Sequence, residues 1–262
     1  WSDPAVGQVL NTTGPYSVLV GSGFLAFTTQ QKANRGGTVA GTTFCILSAK
    51  DGTLYDSKDV GSDGVNEEVD DCTINTSGCR QIKNALQSDP VATGPSAFVT
   101  RSYIGDLDGN LWRFDIGLNA QRKPVINTKT KLYLAGSDQP IFNSMATVNV
   151  GGTHQYAFFG TGSDLRPETD KDTVYHLLAV LDSGATGSKT FDRPLKKIGD
   201  AALTADERVT AFPALAGDIV FFTTTTIGPV CNAPNANLYA FTFTGGSAYD
   251  SKYVAGEALD HL

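Results

Sequence analysis

Three short stretches of this chain crowd oxygen donors in a way that could hold a hard cation. The first runs Asp59-Val-Gly-Ser-Asp63-Gly64-Val-Asn66-Glu67-Glu68-Val-Asp70. Calcium takes about six to eight oxygen ligands, and a glycine inside the loop lets the backbone wrap around the ion. Asp59, Asp63, Asn66, Glu67 and Asp70 are therefore candidate calcium ligands. The pattern is degraded: Gly61 stands where an early ligand belongs, and Asp70 has a shorter side chain than the glutamate that usually closes such a loop. An ordinary solvated acidic loop is the competing reading. Asp106-Leu-Asp108-Gly109-Asn110 also opens like a calcium loop, but the strand-like residues Leu111 to Phe114 follow at once. No length is left to encircle an ion, so a turn whose aspartates cap backbone amides is expected. The third stretch, Asp164 to Asp172, carries Arg166 and Lys171 among its carboxylates and reads as a solvated loop.

Catalytic sets are harder to assemble. The histidines His154, His176 and His261 have no paired metal-ligand spacing, and no HExxH occurs. Gly160-Thr-Gly162-Ser163 lacks both the Walker lysine and the dinucleotide-binding spacing, and no GxSxG elbow activates a serine. His176 lies among Tyr175, Leu177 and Leu178 and reads as a structural or surface residue rather than a base. The expectation is a protein without catalytic activity.

Charge narrows the partners. Lys+Arg 20 against Asp+Glu 27 leaves a net charge of −7, without a basic stripe to offset it. Binding to a phosphate backbone is disfavoured, and nucleic acid is not an expected partner. No apolar run is long enough for a transmembrane helix. The cysteines Cys45, Cys72, Cys79 and Cys231 form no CxxC pair. Cys72 and Cys79 bracket CTINTSGC and are expected to close a small disulfide loop, which implies an oxidising compartment. Cys45 lies in an apolar strand, either as a buried thiol or bridged to Cys231. Because residue 1 is Trp, the chain reads as a processed product or a fragment of something larger.

The elements that must carry these residues are short. Gly 28 and Pro 11 punctuate alternating apolar runs, a pattern of strands and tight turns. Phe44 to Ala49 reads as a strand ending in the turn Lys50-Asp51-Gly52, where glycine accepts the positive φ. Ala97 to Ile104 and Leu111 to Ile116 read as a hairpin around Gly105 to Asn110. Only Ala201 to Arg208 and Glu257 to Leu262 look helical. Residues 56–89 read as an acidic, polar insertion without periodicity.

The strand groups recur. A small-residue strand near a proline (Pro4, Pro95, Pro140, Pro213) is followed by an apolar strand ending in Gly or Thr, then by a strand that closes on a turn. The spacing of 45 residues from Pro95 to Pro140 is close to that of a propeller blade, and the wider gaps contain the insertions. The expected fold is all-β: a single β-propeller-like domain over residues 1–262, with four blade units and long loop insertions. It is either a small closed ring or part of a seven- or eight-bladed one. A β-sandwich with irregular loops is the alternative.

The thirteen residues Tyr103-Ile-Gly-Asp-Leu-Asp-Gly-Asn-Leu-Trp-Arg-Phe-Asp115 resemble the signature of the C-terminal β-propeller of the PilY1/PilC family of type IV pilus tip-associated and biogenesis proteins. Phe158-Phe-Gly-Thr-Gly-Ser163, Val220 to Thr224 and Asn237 to Phe241 are similar to successive blades of that family. The resemblance implies an exported module at the cell surface or pilus tip, passing the periplasm or outer membrane during assembly. It supports pilus biogenesis or adhesion. The implied partners are pilus or surface-filament proteins, the missing part of a larger parent propeller, and a host or surface receptor. Members often bind calcium just before the YxGDLxGNLW strand pair, but Asp89 to Arg101 contains no such loop here. The alternatives are a quinoprotein-like propeller enzyme, which needs a polar central pocket, and a generic extracellular binding module.

Overall fold

The computed structural model describes residues 2–9, 16–23, 27–28, 41–61, 68–69, 79–82, 84–136, 139–152, 154–162, 174–195, 207–209, 211–226 and 235–246. The chain divides into two compact units, Trp1–Ser137 and Asp138–Leu262. The fold is all-β and propeller-like, built from several antiparallel sheets, most of them four strands wide.

In the first unit the strands are β1 (Ala5–Val9), β2 (Ser17–Gly21), β3 (Phe27–Thr28), β4 (Thr43–Ser48), β5 (Leu54–Asp59), β6 (Glu68–Val69), β7 (Cys79–Ile82), β8 (Val91–Thr93), β9 (Phe98–Val99), β10 (Arg101–Gly105), β11 (Asn110–Leu118) and β12 (Pro124–Leu134). One sheet runs β1, β2, β4, β5 in chain order from one edge to the other, with β9 added parallel to β1. A second runs β8, β10, β11, β12, again in chain order. The backbones of β3, β7 and β6 form a small third sheet.

Alternation decides which side chains meet. Phe44 and Ile46 of β4 and Trp112, Phe114 and Ile116 of β11 belong to one buried cluster, with Leu19, Val99 and Ile104. The rings of Phe44 and Phe114 stack at 4.2 Å, joining the two large sheets face to face. Leu111, Arg113 and Asp115 alternate onto the opposite face of β11, and Leu111 and Arg113 are buried there too. A strand covered on both faces is what stacked blades produce and what a one-sided surface sheet does not.

The second unit contains β13 (Ala146–Val150), β14 (His154–Gly160), β15 (His176–Asp182), β16 (Gly187–Pro194), β17 (Glu207–Val209), β18 (Ala214–Ala216), β19 (Ile219–Thr226) and β20 (Asn235–Thr242). The strands β13 to β16 form a sheet in chain order. In the last sheet β18 and β17 pair with successive lengths of β19, and β20 pairs with its other side. Phe158, Tyr175, Leu177, Phe191, Phe222 and Phe241 form this unit's core.

The recurring pattern predicts four antiparallel pairs, 17–28 with 42–49, 98–104 with 111–116, 155–160 with 174–181 and 218–224 with 237–243; β2 with β4, β10 with β11, β14 with β15 and β19 with β20 are such neighbours, but Phe27 and Thr28 pair with β7 instead of β4. Two further expectations need correction. Glu207 and Arg208 belong to β17 rather than to a helix, because three residues of pairing to Thr224–Thr226 outweigh a modest helix propensity. Asp56 to Asp59, expected to lie within the aperiodic insertion 56–89, instead complete β5. Glu257 to Leu262, the other helical expectation, lies outside the described residues, as do 201–206.

Candidate functional site

The resemblance-bearing stretch centres on the turn from β10 to β11. Its backbone closes through Asp106 N–H to Asn110 O (3.0 Å) and Gly109 N–H to Asp106 O (3.3 Å). Gly109 supplies the left-handed residue at φ 78°. Inside this turn Asp106 is fully buried. Its Oδ1 accepts the backbone N–H groups of Asp108 (3.0 Å) and Asn110 (2.8 Å). Its Oδ2 accepts from Trp112 Nε1 (2.7 Å), Asn110 Nδ2 (2.9 Å) and Asn84 Nδ2 (3.1 Å). The expected aspartate cap is therefore present, and it does more than close a turn. It ties the indole of Trp112, a core residue, to Asn84 from a distant part of the chain. Burial raises the Asp106 carboxyl to about 6, against the lowering pull of the Trp112, Asn110 and Asn84 donors.

Charged groups flank this hub. Asp115 accepts from Arg101 Nε at 2.9 Å, Arg113 at 3.0 Å and the Thr128 hydroxyl at 2.5 Å. Burial works to raise its carboxyl, but these donors and the two guanidinium charges hold it below the usual range. Lys129 and Lys131 of β12 lie 5.6 and 5.3 Å from the Trp112 ring, on the other face of the strand.

Of the proposed calcium ligands, Asp59 ends β5. Its Oδ1 caps Gly61 N–H at 2.8 Å, and its carbonyl accepts Lys129 Nζ at 2.7 Å. An ammonium at that carbonyl puts a like charge beside any cation there. Asp63, Asn66, Glu67 and Asp70 lie outside the described residues, as does Asp164 to Asp172. Among the described residues no three His, Cys, Asp or Glu side chains are grouped to hold a metal. The Cys72–Cys79 pairing and Cys231 also fall outside the described side chains, while Cys45 is a half-buried free thiol whose pKa burial raises.

In the second unit the FFGTG stretch turns out to be structural. A Cβ on Gly160 would lie 1.9 Å from Val209 Cγ2, so only glycine lets β14 pass β17. The Thr161 hydroxyl donates to Gln139 Oε1 (2.6 Å) and accepts His176 N–H (2.8 Å). His176 Nδ1 lies 2.5 Å from Asp192 Oδ1, with Lys189 Nζ 2.6 Å from the other oxygen.

Glu207 is the residue the sequence concealed. It is fully buried, and one oxygen, Oε1, accepts from Thr224 Oγ1, Asn237 Nδ2 (2.8 Å) and Tyr239 OH (2.8 Å). A polar ladder down the Thr-rich β19 was the available signal, but partners some 17 to 32 residues away gave it no local pattern.

No family model and no curated relative matches this sequence. Among solved structures, the crystal structure of BamB from Moraxella catarrhalis matches at 13% identity and a TM-score of 0.22, covering 93% of this chain and 84% of that one. At that score the fold assignment rests on this chain's own sheets.

Proposed function

We propose that this chain is a noncatalytic, extracellular module associated with a type IV pilus or a related surface filament, acting in assembly or adhesion through the faces and loops of its sheets. The observation that supports this reading is Tyr103–Asp115. Its sequence resembles the pilus-associated propellers, and its Asp106, Asn110 and Trp112 are engaged with one another in holding a blade turn.

Proteomics of sheared surface filaments from the native source, paired with a deletion strain, tests the proposal. The expected result is recovery with the filaments and altered filament number or attachment on deletion. A protein confined to the cytoplasm, or unchanged filaments and attachment, would overturn it and favour the quinoprotein-like or generic-binding alternatives.

Calcium at residues 59–70 is a separate part of the proposal, supported by the oxygen-rich sequence there. Titration calorimetry should show binding in the wild type, removed by Asp59→Ala with Asp63→Ala. A wild type without a signal would leave the stretch a solvated loop.

A further inference from the structure

Among the described residues, two sheet faces stand apart from the rest. In β11, and in β14 with β15, side chains of both alternations are buried: Leu111 as well as Phe114, and Phe159 and Val180 as well as Phe158 and Ala179. The sheet of β1, β2, β4 and β5 differs. Its inward positions Leu19, Phe44 and Ile46 belong to a core. The alternate positions Val6, Val18, Leu47 and Leu54 form one register row across all four strands. Val6 is 60% exposed and Leu54 54%. Val18 and Leu47 between them are half-buried, as is Cys45 two residues from Leu47 on the same side of β4. Tyr16, one residue before the inward-facing Ser17, is 59% exposed. None of these side chains is charged.

The sheet of β18, β19 and β20 has a matching face. Inward, Val220, Phe222, Tyr239 and Phe241 enter the second core. Outward, two register rows read Ala214, Phe221, Ala240 and Ala216, Ile219, Thr242. Ala214 and Ala216 are exposed, the other four are half-buried, and again no charge is present. The two faces differ in relief. Branched and long side chains make up the first, while alanines flanking β19 keep the second low. On a chain of net charge −7, uncharged sheet faces left to water mark contact surfaces.

Area narrows what can cover them. Four strands about 4.8 Å apart and five residues of about 3.3 Å give a face of roughly 300 Å² in projection. A stable complex buries about 1,200–2,000 Å² in total. One face against one other supplies roughly 600 Å² and falls short, whereas four faces supply roughly 1,200 Å² and reach that range. A chain with two unlike faces supplies four when two copies engage each other mutually.

From these observations we infer that a second copy of this chain covers both faces. The Val6–Leu54 row of one copy packs on the Ala214 and Ala216 face of the other, and the remaining two faces make the same contact in reverse. An apolar sheet on an apolar sheet is the contact this fold already makes inside, where Phe44 stacks on Phe114. Large side chains on one face meet small ones on the other, and neither copy buries an unpaired charge.

Analytical ultracentrifugation of the full chain tests this. The wild type should sediment as two copies at micromolar concentration. Added salt should leave that association unchanged or strengthen it, since the copies carry like net charge and the contact holds none. Leu54→Asp and, separately, Ala214→Asp each put a charge on an exposed position of one face. Each should raise the dissociation constant by about tenfold or more while keeping the circular dichroism of the wild type. Val6→Asp and Ala216→Asp repeat the test on the same two faces where a first variant loses its fold. Alkylation of Cys45, located by peptide mapping, should be slower in the wild-type dimer than in either variant. A wild type that stays a single copy at every concentration would overturn the inference. So would a dimer broken by Leu54→Asp but unmoved by Ala214→Asp, which would mean that first sheet pairs with first sheet. Masses growing beyond two copies would also overturn it, replacing the mutual pair with an open head-to-tail chain.

Discussion

Asp106 shows how one side chain can account for a whole motif. A buried carboxylate is tolerated when its oxygens are saturated with donors, and here the turn, the next strand and Asn84 all supply them. Asp106→Asn places an amide NH2 against donors and should cost roughly 1–3 kcal/mol, measured by denaturant unfolding at neutral pH. Its pKa adds a second signature. The folded value, about 6, lies above the ordinary 3.8, so the folded state holds the proton more tightly. The stability it contributes is fully present below the ordinary value and is lost as pH rises through the folded one, amounting to about 3 kcal/mol. Asp115 and Asp192, held low in the folded state, act in the opposite sense as pH falls. The wild type minus Asp106→Asn difference in unfolding free energy, followed from pH 3.8 to about 6, therefore isolates the hub and should shrink across that window.

At the level of elements, the strands are held as much by what is missing as by what is present. Gly160 is required because Val209 occupies the space a Cβ would take. Gly160→Ala should destabilise by about 1–3 kcal/mol through overpacking of β14 against β17. Val209→Ala should cost a similar amount by opening a cavity. The double variant should be less destabilised than the sum of the two, because the smaller residue admits the new methyl; thermal or denaturant unfolding of all four proteins completes the cycle. Additive losses would mean that β14 and β17 are not in the contact seen here. Across the other unit, Phe114→Ala removes the ring stacked on Phe44 and should cost about 3–5 kcal/mol in the same assay.

For the whole molecule, the relevant quantities are its charge and the presence of a separate apolar core in each compact unit. A net charge of −7 repels polyanions at moderate salt. A labelled DNA duplex should keep its electrophoretic mobility when the protein is added, and a salt-sensitive shift would contradict the expectation, drawn from charge, that nucleic acid is not a partner. Among the described residues no helix is long and apolar enough to cross a membrane.

Local chemistry explains what could be read from the sequence alone. Lys50-Asp51-Gly52 and Gly105–Asn110 were legible as turns because their hydrogen bonds close over a few residues, and the aspartate cap at 106 followed from the same short range. The period-2 alternation of a strand is equally local, and it puts Trp112 and Phe114 of β11 in one buried cluster. Recurrence of such strands and turns was enough for an all-β, propeller-like fold. Tertiary structure decided the rest. Ala201 to Arg208 carried a helical look, yet Glu207 and Arg208 pair with β19, since strand partners come from elsewhere in the chain. It also decided that the Asp106 carboxylate reaches Asn84, that Glu207 is buried among Thr224, Asn237 and Tyr239, and that Gly160 yields its space to Val209. Each of these contacts joins residues far apart in sequence, and the burial that gives a carboxylate or a glycine its role exists only once those distant strands have packed together.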